Sequence, residues 1–134
     1  MEMIAKAYKN TSSVRSAIEG ERNLQGFLTA YMSLNLYYLT APEVELAHGY
    51  CDIYLLPDKQ RYPQTAHSYI IELKYLSVSE GKDKEEEQRQ EAIRQLRHYA
   101  TDRKVALLSK DTTLHLIILQ LRNYKLARLE EIER

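Results

Sequence analysis

At 134 residues the chain has the length of one domain, 1–134, able to bury a core without disulfide staples, and its single cysteine, Cys51, excludes an intramolecular disulfide. The 19 basic and 19 acidic residues cancel, which excludes a global field drawing the protein to nucleic acid or to an anionic membrane, so any such contact is local. No apolar run is long enough to span a bilayer and no signal-peptide pattern appears, so no membrane association is expected and the expected compartment is the cytoplasm.

Residues 2 to 18 read as an interrupted helix, with Asn10-Thr11-Ser12-Ser13 offering caps midway. From about Glu21 to Leu34, Leu24, Phe27, Leu28 and Tyr31 recur at helical spacing and form one apolar stripe. Glu21 lies one turn before Leu24 on that stripe, either as a first-turn residue favoured by the helix dipole or as a carboxylate reaching a polar site. Residues 36 to 46 read as a strand in which Pro42 suggests an edge or a bulge, and His48-Gly49 as a turn. A second strand runs from 50 to 56, followed by a polar loop from Pro57 to His67. A third, built around Ile70 and Ile71, ends near Val78.

Gly81 and its charged neighbours mark a loop before a long helix from about Lys84 to Arg103, whose apolar stripe is Ala92, Ile93, Leu96, Tyr99 and Ala100. Val105 to Leu108 and Leu114 to Leu121 are apolar runs of strand length. Arg122-Asn123 is a turn candidate, and the stretch from Tyr124 to about Ile132 fits either a last strand or a helix. This order describes an α/β or α+β domain with a central mixed β-sheet flanked by helices.

Three charged residues interrupt the apolar strands. Asp52 sits within Tyr50-Cys51-Asp52-Ile53-Tyr54-Leu55-Leu56, and Glu72 and Lys74 sit within Tyr69-Ile70-Ile71-Glu72-Leu73-Lys74-Tyr75-Leu76. Carboxylates are depleted in strands unless something satisfies their charge. Alternation puts Ile70, Glu72, Lys74 and Leu76 on one face, and pairing of the two strands would aim Asp52 and Glu72 at one point. Two carboxylates, the backbone carbonyl of Leu73 and waters suffice for a hard divalent cation, with Lys74 placed to hold a nucleophilic water or to neutralise a transition state. The competing reading makes Glu72 and Lys74 an exposed pair on a wet sheet face, with Asp52 as a residue following a glycine turn.

The arrangement Gly49-Tyr50-Cys51-Asp52-Ile53-Tyr54-Leu55-Leu56, a loop, Ile70-Ile71-Glu72-Leu73-Lys74 and a helix with Gln95 and Tyr99 resembles the PD-(D/E)XK nuclease superfamily. More narrowly, it is similar to the small nuclease-like domain at the C-terminus of bacterial AAA-ATPase-like proteins. The likeness covers about Glu21 to Leu121, including Glu21-Arg22 with Gly26-Phe27 before the sheet and Glu43 and Glu45 ahead of the first motif. It implies a restriction-endonuclease-like core and hydrolysis of DNA or RNA phosphodiesters with one or two Mg²⁺ or Mn²⁺ ions. Asp52, Glu72, Lys74 and Gln95 are its implied catalytic set, Asp52, Glu72, the Leu73 carbonyl and Glu21 its metal set, and Glu45 and Tyr99 supporting residues. The alternative is a catalytically silent nuclease-like module that binds nucleic acid or protein, docks a companion AAA-type ATPase or forms a homodimer.

Two departures matter: Cys51 stands where the superfamily's name puts Pro, and Tyr50 where relatives often carry Arg. The sequence also lacks the G-x-x-x-x-G-K-[ST] phosphate-binding motif, so a companion ATPase is not part of it. His48, His67, His98 and His115 have no ligand spacing, which argues against a structural zinc site. Arg94, Arg97, Arg103 and Lys104 fit a solvated helix face or a contact with a phosphate backbone.

Overall fold

A computed structural model describes residues 38–46, 49–123 and 125–134, with side chains described from Asp52 onward except at Tyr124. The expected helices of the first 34 residues, and Glu21 with them, lie outside the described residues, as does the turn at His48. Among the described residues five strands form one mixed sheet in chain order: β1 (Tyr38–Leu46), β2 (Gly49–Pro57), β3 (His67–Leu76), β4 (Thr113–Arg122) and β5 (Lys125–Ile132). All neighbours are antiparallel except β3 and β4, which run parallel from His67↔Thr113 to Leu76↔Arg122. A parallel pair needs a crossover connection, and here it contains α1 (Lys82–Ala100) and α2 (Arg103–Leu108).

Strands β3 and β4 are apolar at consecutive positions because both their faces are buried. On one face Tyr54, Ile70, Leu116 and Ile118 pack against Ala92, Leu96 and Tyr99 of α1 and Val105 of α2. On the other face Ile53, Ile71, Leu73, Leu119 and Leu121 form a second cluster. The stripe expected on the long helix is therefore the one it buries, with Ile93 and Ala100 partly buried at its margins.

Residues 105 to 108 form helix rather than the strand their length suggests. Asp102 breaks the helical path with extended dihedrals, and its side chain accepts the Lys104 amide at 2.7 Å, capping a new short helix. Tyr54, fully buried, reaches this helix by donating to the Val105 carbonyl at 3.3 Å and by a short contact with Ser109 Oγ. The stretch from Lys125 to Ile132 is a strand, not a helix, and Asn123 enters it at φ 55°, a left-handed conformation that Asn tolerates.

A polar network ties α1 to the distal strands. Gln120, buried on β4, donates to the Glu85 carbonyl at 3.1 Å and to Gln88 Oε1 at 3.0 Å, and Gln88 donates to the Tyr75 carbonyl at 3.0 Å. Beside it Arg89 grips Glu130 of β5 through two bonds of 2.8 and 2.7 Å. These bonds hold the Glu130 carboxyl below its ordinary range, while Glu130 holds the Arg89 guanidinium above its own. A depressed carboxyl adds stability above its unfolded-state pKa that is lost as pH falls through the folded-state value. Arg89→Ala is thus expected to lower stability at pH 7 and to lower it less in acid, read from urea unfolding at pH 7 and pH 3. An equal loss at both pH values contradicts the ion-pair account.

Candidate metal centre

The pairing of β2 with β3 runs through Leu55↔Tyr69, Tyr54↔Ile70 and Ile53↔Ile71 and stops there, one step before Asp52 would face Glu72. β3 continues beside β4, so a fork opens between β2 and β3 at Asp52. At the fork Asp52 Oδ2 accepts the Leu73 amide at 2.8 Å, in the place of a ladder bond. The amide and the carbonyl of one strand residue point to the same edge, so the Leu73 carbonyl is turned toward β2 as well. The Asp52 carboxylate therefore stands where the ladder between β2 and β3 has been given up.

Glu72 and Lys74 occupy the face of β3 that carries Ile70 and packs on α1, and they are only 3% and 6% exposed. This burial overturns the wet-face reading. Lys74 Nζ lies 3.9 Å from Glu72 Oε1 and 3.7 Å from Glu91 Oε2 on α1, so one ammonium is shared by two carboxylates. An ionised pair taken out of water is retained only where its partners offset the desolvation cost. Here the pair stands within a sheet whose neighbouring positions are Ile70, Leu76 and Ile118.

Glu91 belongs to no motif that the sequence displays. Its position immediately before Ala92, on the flank of the apolar stripe, is the signal that it overhangs the sheet. Gln95 follows one turn later on the same flank, half-buried, and its Oε1 is buried with no hydrogen-bond partner among the described residues. Tyr99 is buried in the helix-side core. Glu45 stands on β1 opposite Tyr50, in backbone register two residues from Asp52.

Asp52, Glu72, the Leu73 carbonyl and Gln95 Oε1 offer oxygen alone, which suits a hard divalent cation and not a thiolate- or imidazole-seeking one. Among the described residues no three His, Cys, Asp or Glu side chains form a metal-holding group. Asp52 at the fork, and Glu72 and Lys74 on the same face of the sheet, are charged groups of this region.

A family model described as the PD-(D/E)XK nuclease superfamily matches residues 19–131. No curated protein and no solved structure gives a significant match to the chain.

Proposed function

Because the chain belongs to the PD-(D/E)XK nuclease superfamily, we propose that it is a metal-dependent phosphodiesterase acting on DNA or RNA through Asp52, Glu72 and Lys74. The observation that carries this reading is a lysine and a glutamate buried together on β3 beside the fork where Asp52 takes the Leu73 amide. Asp52, Glu72 and the Leu73 carbonyl are assigned to hold Mg²⁺ or Mn²⁺, one or two ions, with Glu21 as a further acidic contributor. When bound, the ion supplies Lewis-acid stabilisation of phosphate charge and acidifies water.

The chain's own residues do the remainder. Lys74, fixed between Glu72 and Glu91, donates hydrogen bonds to the attacking water or to a non-bridging phosphate oxygen. Gln95, one turn beyond Glu91 on α1, is assigned to orient what Lys74 holds. Glu45 is assigned to the acidic residues that precede Asp52 in the sequence, and Tyr99 anchors α1 in the helix-side core. Arg94, Arg97, His98 and Thr101 line an open hollow on α1, a surface on which a phosphate backbone can be placed without any global positive charge.

A second reading is favoured by one observation: Lys74 is already shared by two carboxylates, an arrangement that also serves stability in a silent module. Such a module would bind nucleic acid, a companion AAA-type ATPase or a second copy of itself. Plasmid nicking with and without Mg²⁺ or Mn²⁺ separates the two. The proposed function predicts cleavage by the wild type that requires the metal and is lost in Glu72→Gln; metal-independent or absent cleavage contradicts it. No helix among the described residues is long and apolar enough to cross a membrane.

A further inference from the structure

The parallel register of β3 and β4 brings together two histidines that are far apart in the sequence. Tyr69 pairs with His115, and His67 stands two residues earlier on the same face as Tyr69, diagonal to His115. His67 Nδ1 lies 2.8 Å from His115 Nε2. The other nitrogen of His115, Nδ1, lies 2.5 Å from Glu131 Oε1 on β5. Tyr69 stacks on the His115 ring with centroids 4.8 Å apart and planes 21° apart, which limits its rotation. His67 and Glu131 are exposed, so the pair is open to solvent. Strand alternation puts the cluster on the sheet face opposite Glu72 and Lys74.

We propose that His67 Nδ1 and His115 Nε2 form a binding site for a borderline divalent transition ion such as Zn²⁺, with Glu131 orienting His115. A carboxylate on one imidazole nitrogen fixes the proton there and turns the lone pair of the other nitrogen outward, the usual support of a metal-bound histidine. Glu131 and His115 already have that relation. His67 needs no net proton loss to join, because moving its proton from Nδ1 to the solvent-facing Nε2 frees the Nδ1 lone pair. Tetrahedral ligation with Zn–N of about 2.0–2.1 Å separates two nitrogens by about 3.3 Å, so the rings part by about half an ångström. Two imidazoles leave the other coordination positions to water. Imidazole nitrogen discriminates against Mg²⁺, so the site and the carboxylate fork take different ions.

The test is a calorimetric titration of the full chain with ZnCl₂ in excess Mg²⁺, alongside nitrogen-15 spectra of the imidazole rings. The expected result is Zn²⁺ binding that shifts the His67 and His115 rings and leaves His98 in place. His67→Ala and His115→Ala are expected to weaken binding more than about tenfold, and Glu131→Gln about tenfold. Asp52→Asn is expected to leave this binding unchanged, which separates it from the proposed nuclease chemistry. Absence of Zn²⁺ binding by the wild type, equal affinity in His67→Ala, or shifts confined to His98 would overturn the proposal. The ring shifts are read on the wild type, so the test survives a variant that fails to fold.

Discussion

Lys74→Met is expected to lower metal-dependent cleavage by about 10²–10³-fold and, in metal-free protein, to lower stability by about 3–5 kcal/mol. The two effects share one cause. Lys74 Nζ is the cation 3.9 Å from Glu72 Oε1, and both side chains are nearly sealed from water. Methionine keeps much of the volume but leaves the glutamate's charge in the core without the ammonium opposite it. Adding Glu72→Gln to Lys74→Met removes that charge, so the double variant is expected to recover most of the lost stability but none of the activity. Urea unfolding of the two single variants and the double variant reads this coupling directly. Additive losses would mean that the pair does not interact as its geometry requires. Glu91→Ala should cost far less, since its carboxylate is about half exposed and solvent replaces the lost partner.

The second large effect is at Asp52, where structure and chemistry can be separated by the choice of replacement. Asp52→Ala removes the acceptor of the Leu73 amide and is expected to cost about 1–3 kcal/mol together with all metal-dependent cleavage. Asp52→Asn keeps an oxygen that can accept this amide but loses the negative charge. It is therefore expected to unfold within about 1 kcal/mol of the wild type while losing at least about 10²-fold in cleavage. Denaturant midpoints and nicking rates for both variants decide the matter. If Asp52→Asn keeps full activity, Asp52 is a strand cap alone.

Much of this was legible in the sequence because strand periodicity is a local property. Ile70, Glu72, Lys74 and Leu76 share a face whatever the sheet does, so the co-facing of Glu72 and Lys74 follows from spacing alone. What spacing could not decide was whether that face is wet or dry, because burial depends on α1 lying across it. Placing Lys74 against Glu91 required the helix and strand to meet, and the short distance between them is purely tertiary. The same holds for His67 and His115, whose nearness depends on the parallel register of β3 with β4. Along the sequence they have no ligand spacing, so spacing alone does not bring them together.

The stretch 103–108 shows a different limit. Four consecutive apolar residues, Val105 to Leu108, do not distinguish a short strand from a helix turn. The deciding signal was Asp102, a favoured N-cap residue whose side chain takes the Lys104 amide. At the end of the chain, Leu, Ala and Glu favour helix, yet Lys125–Ile132 pairs with β4 from Arg122 back to Leu116. Sheet pairing and the Arg89–Glu130 grip outweigh a propensity worth only tenths of a kcal/mol per residue.

The fork between β2 and β3 is the proposed seat of a hard divalent cation. The most direct measurement is an anomalous difference map from crystals grown with Mn²⁺. A peak within ligand distance of the Asp52 and Glu72 carboxylates and the Leu73 carbonyl is the predicted result. A map with no manganese at the fork, from protein saturated with the ion, would contradict it.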